Sequence, residues 1–381
     1  MVRLPTILLI LPLLSLLSGS ASAQEVAELK VNSKRYIVID AETGQVFAQK
    51  GARDRVAIAS LTKVFTAILA IESAPLDTEI TTRESDVFGS SSTTMGFGPG
   101  ETFTLEDLLY GMMLPSGNDA AHAIARHLGQ QPGDTDEEAV TRFMERLNQR
   151  IQDMGLRDTR LVNPHGWGVP GHFSSAWDVA AFMMFALQYP TFVETMGSLN
   201  YTTANGAYYL SNTNKLLRSY DGLIGGKTGY DDDSGWCLVE VARRDGSTMI
   251  SVTLDGIAPD DWYDDNRVLL NYAFEQKAAA EGPQTASGDR VSFLDPDAAA
   301  ISRASDGGAA FYAPQPVVLA DAANRGLAEL QARSNVGGSG PPMGGRTFWL
   351  ATAVTAVVLG TRGLGVFLDR RRYVPHPPAE S

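Results

Sequence analysis

The chain has 381 residues, 44% of them hydrophobic and 20% charged, enough for one large domain or two small ones. Its formal net charge is −13, and residues 24–345 alone hold 25 basic against 42 acidic residues, a net of −17 that disfavours nucleic acid as a partner. The single cysteine, Cys237, excludes an internal disulfide, and its place in the apolar run GWCLVEVA marks it as a small buried hydrophobe rather than a catalytic thiol.

Arg3, the apolar run LPTILLILPLLSLL and the Ala21-Ser22-Ala23 cleavage pattern read as a secretory signal peptide over residues 1–23. The mature chain is then expected to begin near Gln24 and to work outside the cytoplasm. RYIVIDAETGQVFAQK (35–50) has two β-rich runs around a polar turn and predicts a hairpin. VAIASLTKVFTAILA (56–70) opens an apolar helix and carries Ser60 and Lys63 on one face, with Cβ atoms about 5–6 Å apart at that spacing. A hydroxyl beside an amine is how a weak nucleophile gains a base. The structural alternative is a capping serine and a lysine that reaches water.

Helical spacing recurs in LEDLLYGMML, NDAAHAIARHLG, TRFMERLNQRIQDMG and AWDVAAFMMFALQ. Ser116-Gly117-Asn118 lies between the first two, where Ser116 would also serve as an N-cap. Lys227-Thr228-Gly229 starts a strand, or forms a plain turn, ahead of a second hairpin, GWCLVEVARRDGSTMISVTLDG, with Asp245-Gly246 at its tip. NYAFEQKAAAEG closes the domain near residue 280. Strands at both ends of a helical middle predict one domain, 24–280, whose sheet is assembled from distant segments. The acidic runs DDDS at 231 and PDDWYDD at 259 are expected to be solvated loops and lack calcium-ligand spacing. His122 and His127 do not share a helix face and His165 and His172 fall in a loop, so neither a metal site nor a Ser-His-Asp triad is expected.

Residues 281–345 are rich in Ala, Gly, Ser and Pro and end in the tether SNVGGSGPPMGG, with RVSFL and FYAPQPVVLA as the stretches of strand-like composition. TFWLATAVTAVVLGTRGLGVFL (347–368), followed by Arg370, Arg371 and Arg372, has the length of a membrane-spanning helix whose arginines hold the tail, 369–381, in the cytoplasm. Arg362 would snorkel or end the span at Thr361; an amphipathic surface helix is the alternative. The expectation is an outward-facing enzyme held in the cell membrane by an anchor over 346–368.

S-x-x-K, S-x-N and K-T-G thus follow one another in order. K-T-G alone is expected by chance roughly 0.1 times in a chain of this size. The three together are the motif set of penicillin-recognising serine enzymes. From about residue 30 to 275 the sequence resembles the low-molecular-mass penicillin-binding proteins that act as D-alanyl-D-alanine carboxypeptidases, in ASLTKVFTA, LEDLLYGMMLPSGNDAA, LVNPHGWG, NTNKLL and GGKTGY.

The resemblance implies an α/β (α+β) fold, an antiparallel sheet flanked by helices plus a helical subdomain, with Ser60 at the start of a central helix in the cleft between them. It implies Ser60 as nucleophile and Lys63 as a base disfavoured as an ammonium by desolvation, although which group takes the proton is disputed in this superfamily. Ser116 would relay a proton to the leaving amine, and Asn118 would orient the substrate amide or Lys63. Lys227 and Thr228 would hold the substrate's terminal carboxylate on a strand completed by Gly229 and Tyr230, and the backbone N–H groups of Ser60 and Tyr230 would form the oxyanion hole. Peptidoglycan stem peptides ending in D-Ala-D-Ala are the implied partners and β-lactams the implied inhibitors, with no cofactor and no metal.

Two departures qualify it. Trp262 stands where relatives commonly place an arginine ahead of the closing LLNYAF helix, which shifts the carboxylate grip onto Lys227 and Thr228. The β-lactamase pattern E-x-x-L-N is matched only by MERLN, with Met144 at the glutamate position and Glu145 one residue out of phase. A β-lactamase or transpeptidase of the same superfamily, and a non-catalytic β-lactam or peptidoglycan sensor, are the competing readings.

Overall fold

The computed structural model describes residues 29–257, 261–279 and 288–294. The expected signal peptide, most of the expected linker, and the expected anchor and tail lie outside the described residues. Among the described residues no helix is long and apolar enough to cross a membrane.

Strands β1 (Arg35–Asp40) and β2 (Val46–Lys50) form the first hairpin, followed by a 3₁₀ turn at Ala59–Leu61 that runs into helix α1 (Thr62–Ser73). Short strands β3 (Glu79–Thr81) and β4 (Thr102–Thr104) pair with each other ahead of α2 (Leu105–Met113), α3 (Asn118–Gly129), α4 (Asp136–Asp153), α5 (Ala176–Ala186) and α6 (Pro190–Gly197). A second short pair, β5 (Asn200–Thr202) and β6 (Tyr209–Ser211), precedes a 3₁₀ turn at Lys215–Arg218. The chain then adds β7 (Leu223–Asp231), β8 (Gly235–Arg244), β9 (Ser247–Gly256) and α7 (Asp261–Ala279).

The main sheet is antiparallel, in the order β2-β1-β9-β8-β7, so its first hairpin and its last three strands meet between β1 and β9. Period-two alternation divides its side chains between two cores. Ile37, Ile39, Val239, Val241, Ile250 and Val252 face the helical side with α1 and α5. Val38, Leu238, Ala242 and Met249 face α7 through Trp262, Leu269, Leu270 and Ala273. Helices α1 and α5 are apolar nearly all round and accordingly buried, with Phe65 stacked on Phe182 at 4.1 Å. At the β8–β9 tip Asp245 and Gly246 both take positive φ, 50° and 82°, as a type I′ turn requires.

Several boundaries differ from the sequence reading. Helix α4 starts at Asp136, a turn before its apolar periodicity, because Thr135 and Glu138 close a capping box over an acidic first turn. The run PDDWYDD is not a solvated loop: from Asp261 it is the start of α7, and Asp265 is buried, accepting the amides of Asn32 and Ser33 at 2.8 and 2.7 Å and the Ser33 hydroxyl at 2.6 Å. The chain also returns to the folded body after residue 280. The Val46 and Val291 amides donate to Asp289 O and Gly44 O at 3.1 and 2.8 Å, and Val291 and Phe293 are buried.

Candidate active site

Ser60 sits in the 3₁₀ turn at the head of α1, one residue after Ala59, whose φ of 44° is unusual for a residue with a side chain. Two glycines make room for this turn. A Cβ on Gly166 would lie 1.9 Å from Ala59 O, and one on Gly229 would lie 3.0 Å from Ser60 N. The loop around Gly166 and strand β7 therefore grip the serine from two sides, which is how a strained turn persists.

Lys63, one turn on, is fully buried. Its Nζ lies 2.8 Å from Ser60 Oγ, 2.6 Å from Asn118 Oδ1 and 2.7 Å from His165 O. Two of these partners are carbonyl oxygens that only accept, and the third is a hydroxyl that can also donate. An ammonium can donate to all three, and a neutral amine can donate to the two carbonyls while its lone pair accepts the Ser60 hydroxyl, so the site accommodates the amine on both sides of a proton transfer. Burial, and then the charge of Lys227, push the Lys63 pKa well below the usual lysine value. The sequence alternative of a lysine reaching water is excluded.

Ser116 lies between α2 and α3 with φ 66° and does not cap α3; the N-cap is Gly117, without a side-chain bond. Its Oγ instead accepts from Lys227 Nζ at 2.9 Å, and Lys227 also donates to Thr228 O at 2.8 Å. Burial lowers the Lys227 pKa to about 7. Lys227, Thr228 and Gly229 lie inside β7, at the edge of the sheet, rather than at a strand start or a turn. The Thr228 hydroxyl is 2.9 Å from that of Thr213. Tyr230 is half exposed, its ring 4.2 Å from that of Trp236. The structure thus brings the predicted residues together in two hydrogen-bonded groups, Ser60–Lys63–Asn118 and Ser116–Lys227, with Thr228, Gly229 and Tyr230 following Lys227 on β7.

Sequence reasoning missed the supports of these groups. Thr93 Oγ1 donates to Ser116 O at 2.8 Å, and Asn118 Nδ2 donates to Ser92 Oγ at 2.7 Å. The buried Asp119 carboxylate accepts the Met95 and Gly96 amides, each at 2.8 Å, which fixes the loop that carries Ser92 and Thr93. The run SSSTTMG reads only as a polar loop, and its one usable signal is the density of short hydroxyl side chains near S-x-N. Asn148, the last residue of MERLN, accepts the Leu161 amide at 2.9 Å and donates to Leu161 O at 2.7 Å, anchoring the start of the His165 loop.

The remaining residues fall into structural places. His172 bonds Thr62 Oγ1 through Nε2 at 2.8 Å and accepts the Val162 amide, and burial lowers its pKa to about 4. His122 pairs with Asp86 at 2.8 Å. Cys237 is buried and its thiol is pushed up to about 12, again by burial. Trp262 is buried with its ring 5.0 Å from that of Trp236, so it packs α7 against the sheet. Met144 belongs to the helical core and Glu145 is exposed on α4.

Comparison with known proteins agrees with this geometry. Residues 21–258 match the D-alanyl-D-alanine carboxypeptidase family. D-alanyl-D-alanine carboxypeptidase DacF of Bacillus subtilis is 31% identical over 287 residues, covering 72% of this chain and 72% of that protein. A D-alanyl-D-alanine carboxypeptidase of Streptomyces sp. (strain K15) is 32% identical over 245 residues, covering 61% of this chain and 84% of that protein. The crystal structure of the Streptomyces K15 DD-transpeptidase matches with a TM-score of 0.61 at 29% identity, covering 64% of this chain and 98% of that one. On this match, and on the fold that carries it, the chain belongs to the D-alanyl-D-alanine carboxypeptidase family and is a serine peptidase.

Proposed function

We infer that the protein removes the terminal D-alanine from peptidoglycan stem peptides by way of an acyl-ester on Ser60. The observation that carries this reading is the buried Lys63 Nζ, 2.8 Å from the Ser60 hydroxyl at a helix start and with no carboxylate among its hydrogen-bond partners. Ser60 passes its proton to Lys63 as its Oγ attacks the penultimate D-alanine carbonyl. The backbone N–H groups of Ser60 and Tyr230 are the donors for the oxyanion. Asn118, bonded to Lys63 in the structure, orients the base. Ser116, whose Oγ accepts from Lys227, relays a proton to the departing D-alanine amine, while Lys227 and Thr228 hold its carboxylate. Water then cleaves the acyl-ester and frees Ser60.

Met144 in the core, where a β-lactamase of the E-x-x-L-N type needs a glutamate facing the ester, supports slow deacylation of β-lactams and their action as inhibitors. The leader-like and anchor-like sequence segments support a site of action on the outer face of the cell membrane. The test is incubation with a peptide ending in D-Ala-D-Ala. Release of one D-alanine per peptide, abolished in Ser60→Ala, is expected. An intact peptide would overturn the reading.

A further inference from the structure

The stretch NTNKLL has no part in the chemistry above, yet it touches both sides of the cleft. Thr213 N donates to Leu114 O at 3.1 Å, two residues before Ser116, and the Tyr263 hydroxyl donates to Thr213 O at 3.2 Å. Thr213 Oγ1 is the group 2.9 Å from Thr228 Oγ1. Asn214 shapes this turn. Its amide donates to Asn212 Oδ1 at 2.9 Å, and its own Oδ1 accepts the Leu216 amide at 3.0 Å, capping the 3₁₀ turn.

Asn214 in turn is tied to the sheet by one side chain: its Nδ2 donates to Glu240 Oε2 at 2.9 Å. Glu240 is fully buried on β8, between Leu238 and Ala242 on the α7 side of the sheet, where alternation calls for a third apolar residue. It is paired with Gly226, and a Cβ on Gly226 would lie 2.2 Å from Glu240 Oε2. The glycine that precedes Lys227 therefore gives this carboxyl its room. Among the described residues the other oxygen, Oε1, has no hydrogen-bond partner. Burying an acid here is costly; among the described residues Asn214 supplies its hydrogen bond, and the charge of Arg267 also acts on it. Burial drives its pKa well above the ordinary carboxyl value.

We propose that Glu240 is a positioning residue for the substrate's terminal carboxylate. Through Asn214 it fixes the turn of Asn212–Leu216, and so holds the Thr213 hydroxyl against that of Thr228. One hydroxyl of the pair then donates to the other, and the second O–H is left free to meet the anion beside Lys227. This rests on the reading of Lys227 and Thr228 as the carboxylate site.

The test uses the full-length chain and two peptides, one ending in D-Ala-D-Ala and one in the matching terminal carboxamide. Glu240→Ala and Asn214→Ala are expected to raise KM for the acid peptide about tenfold, the scale of one lost hydrogen bond, with kcat and the carboxamide reaction little changed. Glu240→Gln keeps an acceptor for Asn214 and is expected to restore KM. An unchanged KM in a folded Glu240→Ala, equal losses on both peptides, or a Gln variant as impaired as Ala would each overturn the proposal. Should Glu240→Ala not fold, the KM of Asn214→Ala decides. Acylation of Ser60 by penicillin against its methyl ester reads the same carboxylate preference without D-alanine release. A wild type that is acylated yet frees no D-alanine therefore sinks the carboxypeptidase reading and leaves this one to be judged on the ester ratio.

Discussion

Lys227 Nζ stands 2.9 Å from Ser116 Oγ, a bond that joins the edge strand of the sheet to the loop between two helices of the helical side. Lys63 meets the same loop two residues on, at Asn118. Two buried lysines thus share one loop, each disfavoured as a cation by burial, and the charge on Lys227 lowers the pKa of Lys63 further. On the reading proposed above, Lys63 acts as the neutral amine and Lys227 as the cation that meets an anion.

The pH dependence follows from the sign of each titration. A lysine is charged below its pKa, so a step that needs neutral Lys63 gains rate as pH rises. A step that needs charged Lys227 loses rate as pH rises through about 7. The kcat/KM of a carboxylate-terminated peptide, which reports free-enzyme pKa values, should therefore be bell-shaped with its falling limb near 7. With a peptide ending in a carboxamide the falling limb should vanish. A flat profile to about pH 9 for the carboxylate peptide would exclude this role for Lys227.

Penicillin should form a lasting adduct on Ser60, detected as added mass on the intact protein and absent in Ser60→Ala. Lys63→Ala leaves Asn118 Oδ1 and His165 O without their shared donor, at about 1–3 kcal/mol, and should still fold. Its acylation rate should fall by about 10²–10⁴, the usual loss of a general base. Rapid labelling of the folded variant would show that another group takes the serine proton.

Much of this site was legible in the sequence, because its chemistry sits in contiguous motifs with fixed local geometry. The pairing of Ser60 with Lys63 needs only helical spacing, and the β8–β9 hairpin needs only Asp245-Gly246 between alternating runs. Residues that act at long range left no such trace. Asp119 braces the Ser92–Gly96 loop through backbone amides, and Ser116 takes a left-handed conformation that no local pattern announces. Asp265 inverted the expectation for its acidic run because its partners, Asn32 and Ser33, lie near the other end of the chain. The strands of β3–β4 and β5–β6 are three residues each, too short for alternation to register.

Outside the cleft, Arg126 and Asp86 form a buried ion pair. Arg126 is 1% exposed and donates to Asp86 Oδ1 and Oδ2 at 3.0 and 2.8 Å and to Thr81 O at 2.8 Å. Burial raises the Asp86 pKa, but its bonds from His122 and Arg126 more than offset that and leave it lowered. The stabilisation is therefore present at neutral pH and is lost as pH falls through the folded carboxyl's range. Arg126→Ala strands a buried carboxylate and should cost about 3–5 kcal/mol in urea unfolding at pH 7. The double variant with Asp86→Ala should cost clearly less than the sum of the two singles. Additive losses would show that the pair is not coupled.

The sequence segments outside the described residues carry their own expectation. Cell fractionation should place the full chain in membranes, and a chain ending at residue 340 should be released as a soluble, active enzyme, because the apolar run and its three arginines are then gone. A truncated form that still pellets and resists salt would put the anchor elsewhere.

Hydrolysis and cross-linking share the acyl-ester on Ser60 and differ only in what attacks it, so the balance between them is a question of access and capture. The relatives carry both names, a carboxypeptidase and a DD-transpeptidase each from Streptomyces K15. In this chain Ser60 is partly exposed, which leaves an ester on its hydroxyl open to water. Capture of a second peptide needs more than access, because its amine must be held in line for attack at the ester. The net charge of −17 over residues 24–345 also works against a second anionic strand, an effect that weakens with salt. A pentapeptide should therefore give a tetrapeptide and one D-alanine as the main products, even with a millimolar amine acceptor present. Separating the products by mass settles the choice. Mainly cross-linked product, with slow hydrolysis when the acceptor is withheld, would make this chain a transpeptidase.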